Sequence, residues 1–169
     1  PAASTAIAWS GDGKYLASGN LDNTITVLEW DIFIPWVMRG FPGKISNLTW
    51  SQSIDDRAPL LAVSSMEGIA VWEKQIRDED GWDGNVLNLH EDKIKALAFY
   101  PKSLLLASAA EDGWLCLWSK AKQVRQLLKG APNGFSCLAW QKEGKQLAAG
   151  GQNGELVIWS QSSSGQGFG

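Results

Sequence analysis

Apolar residues in this chain fall in short alternating runs, not at helical spacing. The segments 24–28 (Thr-Ile-Thr-Val-Leu), 114–118 (Trp-Leu-Cys-Leu-Trp) and 155–159 (Glu-Leu-Val-Ile-Trp) are typical. Each follows a turn pair, Asp22-Asn23, Asp112-Gly113 or Asn153-Gly154. Such pairs supply the positive φ that a tight hairpin demands. The pattern predicts strands throughout and no helix of useful length.

The runs repeat. Trp9, Trp50, Phe99 and Trp140 each close an apolar segment, at separations of 41, 49 and 41 residues. A Leu-Ala pair follows three of them seven and eight residues on: Leu16-Ala17, Leu106-Ala107 and Leu147-Ala148. From that aromatic to the last anchor, Leu28, Trp118 or Trp159, is 19 residues in each case. The second unit, Trp50 to Trp72, takes 22 because 51–60 lengthens its first turn. Each unit reads as strand, turn, strand, turn, strand. Further strands around 34–39, 86–89 and 123–128 close the first three units. One such sheet cannot cover both of its faces, so it must stack on copies of itself. The fold class is all-β: about four four-stranded antiparallel propeller blades, the last lacking its outer strand.

These units resemble the WD-repeat β-propeller family. Its Trp-Asp ending is represented by Trp72-Glu73, Trp118-Ser119, Trp159-Ser160 and a diverged Leu28-Glu29. The Gly-His pair before the first strand survives in part as Gly40-Phe41, Leu89-His90 and Gly130-Ala131. The expected blades are 1–40, 41–89, 90–129 and 130–160, with a flexible polar tail at 161–169. The resemblance implies that the last blade takes its outer strand from the other end of the chain. Residues 1–8 already run into the first blade, so the expectation is the C-terminal half of a longer protein, or a chain that closes a ring with a second copy.

The resemblance also implies a hydrogen-bonded set of histidine, serine or threonine, aspartate and tryptophan. It is complete only in the third unit, as His90, Ser108, Asp112 and Trp118, and that unit is expected to be the best ordered. The other three are expected to rely on apolar stacking.

Composition narrows function. Fifteen basic and 18 acidic residues give a net charge of −3 and a pI near 5.1, a poor footprint for nucleic acid. No apolar run approaches the roughly 20 residues of a membrane span, and no leader is visible. The single histidine excludes any site needing two. Cys116 and Cys137 read as small buried hydrophobes without an activating neighbour. No catalytic residue, cofactor or metal site is predicted. The acidic stretch 77–85 departs from a calcium loop at Trp82 and Asp83 and reads as a solvated hairpin. Lys120, Lys122, Arg125 and Lys129 make a basic outer strand.

Candidate partner contacts remain. Phe33 and Trp36 lie in the apolar stretch 30–38, where Pro35 suits an edge strand. Trp114 stands where the other units have Thr24 and Glu155, and tryptophan is over-represented at binding hot spots. Leu21, Glu111 and Gln152 precede the turn aspartate position, on the face that resembling propellers commonly use for binding. The expected function is a non-enzymatic, cytoplasmic scaffold for other proteins. The alternatives are a propeller within a larger regulatory protein that has catalysis elsewhere, or a carboxylate-based propeller enzyme.

Overall fold

The computed structural model describes residues 2–32, 34–162 and 168. They form four antiparallel sheets in chain order. The first holds β1 (Ser4–Trp9), β2 (Tyr15–Asn20), β3 (Ile25–Glu29) and β4 (Trp36–Met38). The second holds β5 (Ile45–Trp50), β6 (Leu61–Ser65), β7 (Gly68–Lys74) and β8 (Trp82–Leu87). The third holds β9 (Ile94–Phe99), β10 (Leu106–Ala110), β11 (Trp114–Ser119) and β12 (Gln123–Lys129). The fourth has three strands among the described residues, β13 (Phe135–Trp140), β14 (Gln146–Gly151) and β15 (Leu156–Ser160). First strands of successive sheets are neighbours, so the sheets stack as propeller blades around their inner edges.

The turns follow the repeat. Asn23, Gly113 and Gly154 take φ of 60°, 79° and 86° at matching positions. The first turn closes by one backbone bond in every sheet. Ser10, Ser51, Tyr100 and Gln141 donate their N–H to the carbonyls of Tyr15, Leu60, Leu105 and Gln146. The insertion 51–60 therefore bulges out without disturbing its sheet: Ser51 Oγ still accepts from Leu60 N–H at 2.9 Å, as Ser10 Oγ does from Tyr15.

One sequence expectation needs correcting. Asp83 and Gly84, read as part of a hairpin loop, lie inside β8, paired with Glu73 and Trp72. The turn proper falls earlier, around a short 3-10 turn (Asp78–Asp80) and Gly81 at φ 64°. Glycine at 84 is a packing requirement instead, because a Cβ there would stand 2.9 Å from the Trp72 ring.

Three apolar layers fill the joints between sheets. In each, the forward face of one sheet meets the rear face of the next. Ala17, Ile25 and Val27 of the first sheet pack on Leu61 and Val63 of the second. Ala62, Ile69 and Val71 meet Phe99, Leu106 and Trp118. Leu115 and Leu117 meet Leu147, Trp140 and Trp159. Phe168 joins the last layer, its ring edge-on to Trp140 at 4.9 Å.

Candidate functional site

The third sheet gathers its polar residues into one chain of hydrogen bonds. Trp118 Nε1–H donates to Ser108 Oγ at 2.9 Å, and Ser108 Oγ lies 2.8 Å from His90 Nε2. His90 Nδ1 lies 2.9 Å from Asp112 Oδ2. A carboxylate only accepts, so the neutral ring keeps its proton on Nδ1 and Nε2 receives the serine hydroxyl. Asp112 also accepts the N–H groups of Glu91 and Trp114. It therefore holds both the turn that begins β11 and the loop that leads to β9.

Serine, histidine and aspartate here stand in the order of a hydrolytic triad, but the environment is wrong for one. Ser108 is 0% exposed and its oxygen is occupied by Trp118. A nucleophile must reach an acyl carbon, and this one reaches none. The network is a buried tie between strands, loop and turn.

The other sheets solve the same problem differently. In the second, Val63 and Phe41 replace the serine and histidine, and Trp72 Nε1 is buried without a hydrogen-bond partner among the described residues. Ala70 and Val86 stand where the third sheet pairs Cys116 with Leu127. With these smaller side chains, a cavity of about 310 Å³ opens beside Trp72 and Phe41. The first sheet is more polar than its sequence suggests. Asn20 bridges Ser18, Thr24 and Thr26, and Thr24 reaches Asp22. In the fourth, Ala131 and Ala149 are buried in the apolar layer that Trp159 packs against.

The turn residues share a backbone role. Leu21, Glu111 and Gln152 donate their N–H to the carbonyls of Ala3, Lys93 and Gly134, fastening each second turn to the start of its first strand. Their side chains differ: Leu21 is exposed, Glu111 pairs with Lys95 at 3.2 Å, and Gln152 is exposed. Trp114 is half-buried under Lys129, whose ammonium sits 4.1 Å from the ring centroid.

Along the outer edge of the first sheet, Trp36 turns inward, pairing with Val27 and packing against Gly81. Phe33 lies outside the described residues. Among the described residues, Ile32, Ile34 and Val37 are exposed apolar groups of this edge, and Ile34 is 78% exposed. The acidic loop is internally paired. Arg77 binds Asp80 in a bidentate fork, while Asp78 meets Lys74 at 3.1 Å. Lys74 also binds Glu29 of the first sheet at 2.8 Å. Burial pulls the Lys74 ammonium down, but these two carboxylates outweigh it and hold it above its ordinary value. Of the basic residues expected on the outer strand, Lys120 and Lys122 lie in the turn before β12, and Lys122 pairs with Glu73 across the next joint. Both cysteines are free; burial pushes the Cys116 thiol up to about 12, and Cys137 is exposed. Among the described residues no helix is long and apolar enough to cross a membrane.

The sequence reading did not single out the large apolar face on the outside of the first sheet, where Ile7, Trp9 and Trp30 are exposed. Its signal was the recurring aromatic itself. Trp50 Nε1 donates to the carbonyl of Ala8, and Trp140 Nε1 to that of Ala98. The repeated tryptophan thus belongs to the joint with the preceding sheet.

Comparison with known proteins agrees with this architecture. The chain is 30% identical over 156 residues to the pre-mRNA-splicing factor cwf17 of Schizosaccharomyces pombe, covering 87% of this chain and 42% of that protein. It is 25% identical to the histone transcription regulator slm9 of the same yeast, covering 90% of this chain and 20% of that one. It is 26% identical to periodic tryptophan protein 2 of Arabidopsis thaliana, over 92% of this chain and 17% of that one. The chain thus spans less than half the length of these curated relatives. A chain of a crystal structure of the mitotic checkpoint complex superposes with a TM-score of 0.76 at 20% identity, over 94% of this chain and 48% of that one. The WD domain, G-beta repeat family matches residues 3–29, 82–119 and 122–160, and the chain belongs to that family.

Proposed function

We propose that the chain is a non-enzymatic interaction module, part of a WD-repeat propeller that holds other proteins on a rigid frame. The observation that carries this is the outer edge of the first sheet. β4 is only three residues long, and its central Val37 faces solvent with Ile32 and Ile34 just before it. Clustered exposed apolar groups on an unpaired strand edge mark a protein contact. Trp114, Leu21, Glu111 and Gln152 supply a second, chemically varied contact zone at the turn ends. A rigid scaffold with differing loops suits a binding role and needs no reacting group.

The partners include whatever covers the two outermost sheet faces: further repeats of a longer polypeptide or a second copy. A larger regulatory protein carrying this propeller as one part fits the same reading, supported by the likeness to slm9. The setting is the cytoplasm, supported by two cysteines that stay unpaired. The test is cross-linking in cell extract with native chain and with an Ile34→Ser/Val37→Ser variant. Partners lost from the variant support the edge as the contact, and an unchanged partner set overturns it.

A further inference from the structure

The outer edge of the second sheet is built differently from its counterparts. A free strand edge offers unpaired N–H and C=O groups to another chain, and proteins blunt it by shortness, charge or a bulge. β4 is three residues long. β12 carries Arg125 and Lys129, and its pairing with β11 slips between Leu117 and Trp118. β8 has none of these devices. All six of its residues pair with β7 without a slip, and Asp83 is its one charged side chain.

The free groups of this edge can be assigned. Gln75 N–H donates to the Gly81 carbonyl at 2.8 Å, and the two stand in the same register as β7 and β8. Bonded pairs alternate along an antiparallel ladder, so Asp83, Asn85 and Leu87 turn their backbone groups toward β7. Gly84 and Val86 turn theirs outward. β8 ends its sheet, Gly84 is exposed and Val86 is 61% exposed. Stacking in a propeller covers the faces of a sheet, not its outer edge, so a further sheet would not hide these groups.

The same two residues border the cavity of about 310 Å³ that Phe41, Ala70 and Trp72 line. Residues directly opposite each other across a ladder place their side chains on one face. A residue paired with Gly84 from outside would set its side chain at the Trp72 ring, which already leans over Gly84. An aromatic suits that place, because an aromatic partner covers the bare backbone of an edge glycine.

The neighbouring position faces the other way, toward Asp83 and Glu73. These like charges stand directly opposite each other on β8 and β7, an unfavourable pairing. Arg57 and Lys122 meet Glu73 at 3.8 and 3.5 Å, while Asp83 has no ion pair among the described residues. A cation arriving along the edge would complete the set.

We infer that β8 takes up a fifth strand: an antiparallel segment of a partner protein that reads apolar, polar, aromatic, basic in chain order. The apolar residue lies opposite Val86, the polar one opposite the exposed Asn85, the aromatic opposite Gly84 and the base opposite Asp83. Main-chain pairing supplies the affinity of such strand addition, and alternate side chains supply its specificity. This goes beyond the proposed function by naming a second surface and the chemistry of its partner. It rests on the reading of the chain as an interaction module but does not use the β4 edge.

The test is fluorescence anisotropy of a labelled peptide, Ser-Ser-Val-Thr-Phe-Lys-Ser-Ser, titrated with the native protein, with amide exchange followed by nuclear magnetic resonance. Saturable binding and slowed exchange of the Gly84 and Val86 amides are expected. Val86→Pro removes an outward donor, spares the ladder to β7 and suits an edge strand. It should weaken binding roughly 2–12-fold, the factor for one hydrogen bond. Asp83→Lys removes the like-charge pair, so the fold is kept; it should weaken binding about 2–5-fold and favour a peptide with Glu in place of Lys. No saturable binding, binding that leaves both amides exchanging freely, or binding indifferent to both variants would each overturn the inference. Equally tight binding of N-acetylphenylalaninamide would overturn it too, since that fills the cavity without adding a strand. The Ile34→Ser/Val37→Ser variant should bind the peptide as the native protein does, and loss of binding there would move the peptide to β4 and overturn the inference. Native-like peptide binding by that variant, with every cross-linked partner also retained, would overturn only the proposed β4 contact.

Discussion

The second and third sheets share one strand order and, in their inner three strands, one register, yet they treat the same tryptophan in opposite ways. Trp118 gives its indole N–H to Ser108, which is tied through His90 to Asp112. Trp72 buries its N–H with no partner among the described residues, in a sheet where valine and phenylalanine have replaced the serine and histidine. A buried unpaired donor costs roughly 1–3 kcal/mol. The second sheet nevertheless keeps its strands, because its joints are filled by Leu61, Val63, Ile69 and Val71. The polar network is therefore a local reinforcement of the frame, and apolar stacking is what the frame requires.

The comparison can be broken most forcefully by making the third sheet resemble the second. Ser108→Val strands both the Trp118 N–H and the His90 ring, each worth about 1–3 kcal/mol, and should give the largest fall in urea midpoint. Asp112→Ala should follow at about 1–3 kcal/mol, since it frees His90 and two backbone N–H groups. The same change at Asn153, its exposed counterpart in the fourth sheet, should stay within about 0.5 kcal/mol. Equal midpoints for Asp112→Ala and Asn153→Ala would show that the network contributes nothing.

The reverse conversion sharpens the comparison. Val63→Ser alone offers Trp72 an acceptor but leaves its own hydroxyl proton facing Phe41. It should destabilise, and adding Phe41→His should recover about 0.5–3 kcal/mol of coupling in a double-mutant cycle. Strict additivity would mean that Trp72 and these positions do not meet as Trp118 and its partners do.

The smallest effect lies at the joint between the first two sheets. Lys74 is held above its ordinary value by Glu29 and Asp78. A raised lysine contributes stability that is complete below its unfolded pKa of about 10.4, and the contribution fades as pH climbs through the higher folded value. Melting curves from about pH 8 upward should show native chain ahead of Lys74→Met by about 1 kcal/mol, with the gap closing at strongly alkaline pH. A gap that is constant with pH would assign the loss to packing of the lysine stem.

Much of this was legible in the residues. The spacing of Trp9, Trp50, Phe99 and Trp140 and the turn pairs at 22–23, 112–113 and 153–154 mark the strands because each has a local physical cause. A period-two apolar run must lie half-buried in a sheet, and Asn or Gly is needed where φ is positive. The turn before β8 was misplaced because Asp83-Gly84 looks like a hairpin signal. That glycine answers a neighbour across the sheet, the Trp72 ring, and no local rule reports such a neighbour.

Candidate contacts were legible only in part. Trp36 and Trp30 sit in one apolar stretch, yet Trp36 packs into a joint and Trp30 is left in solvent. Alternation says that the two faces differ, not which of them has a neighbour. By itself the sequence determined the repeat, the strands and most of their turns, since these depend on local spacing, while the residues of the third sheet's network came from the resemblance to the WD-repeat family. The tertiary structure alone decided which indole N–H groups find acceptors across a joint, as Trp50 and Trp140 do. Those outcomes depend on what a different repeat, some 40 residues away, places opposite.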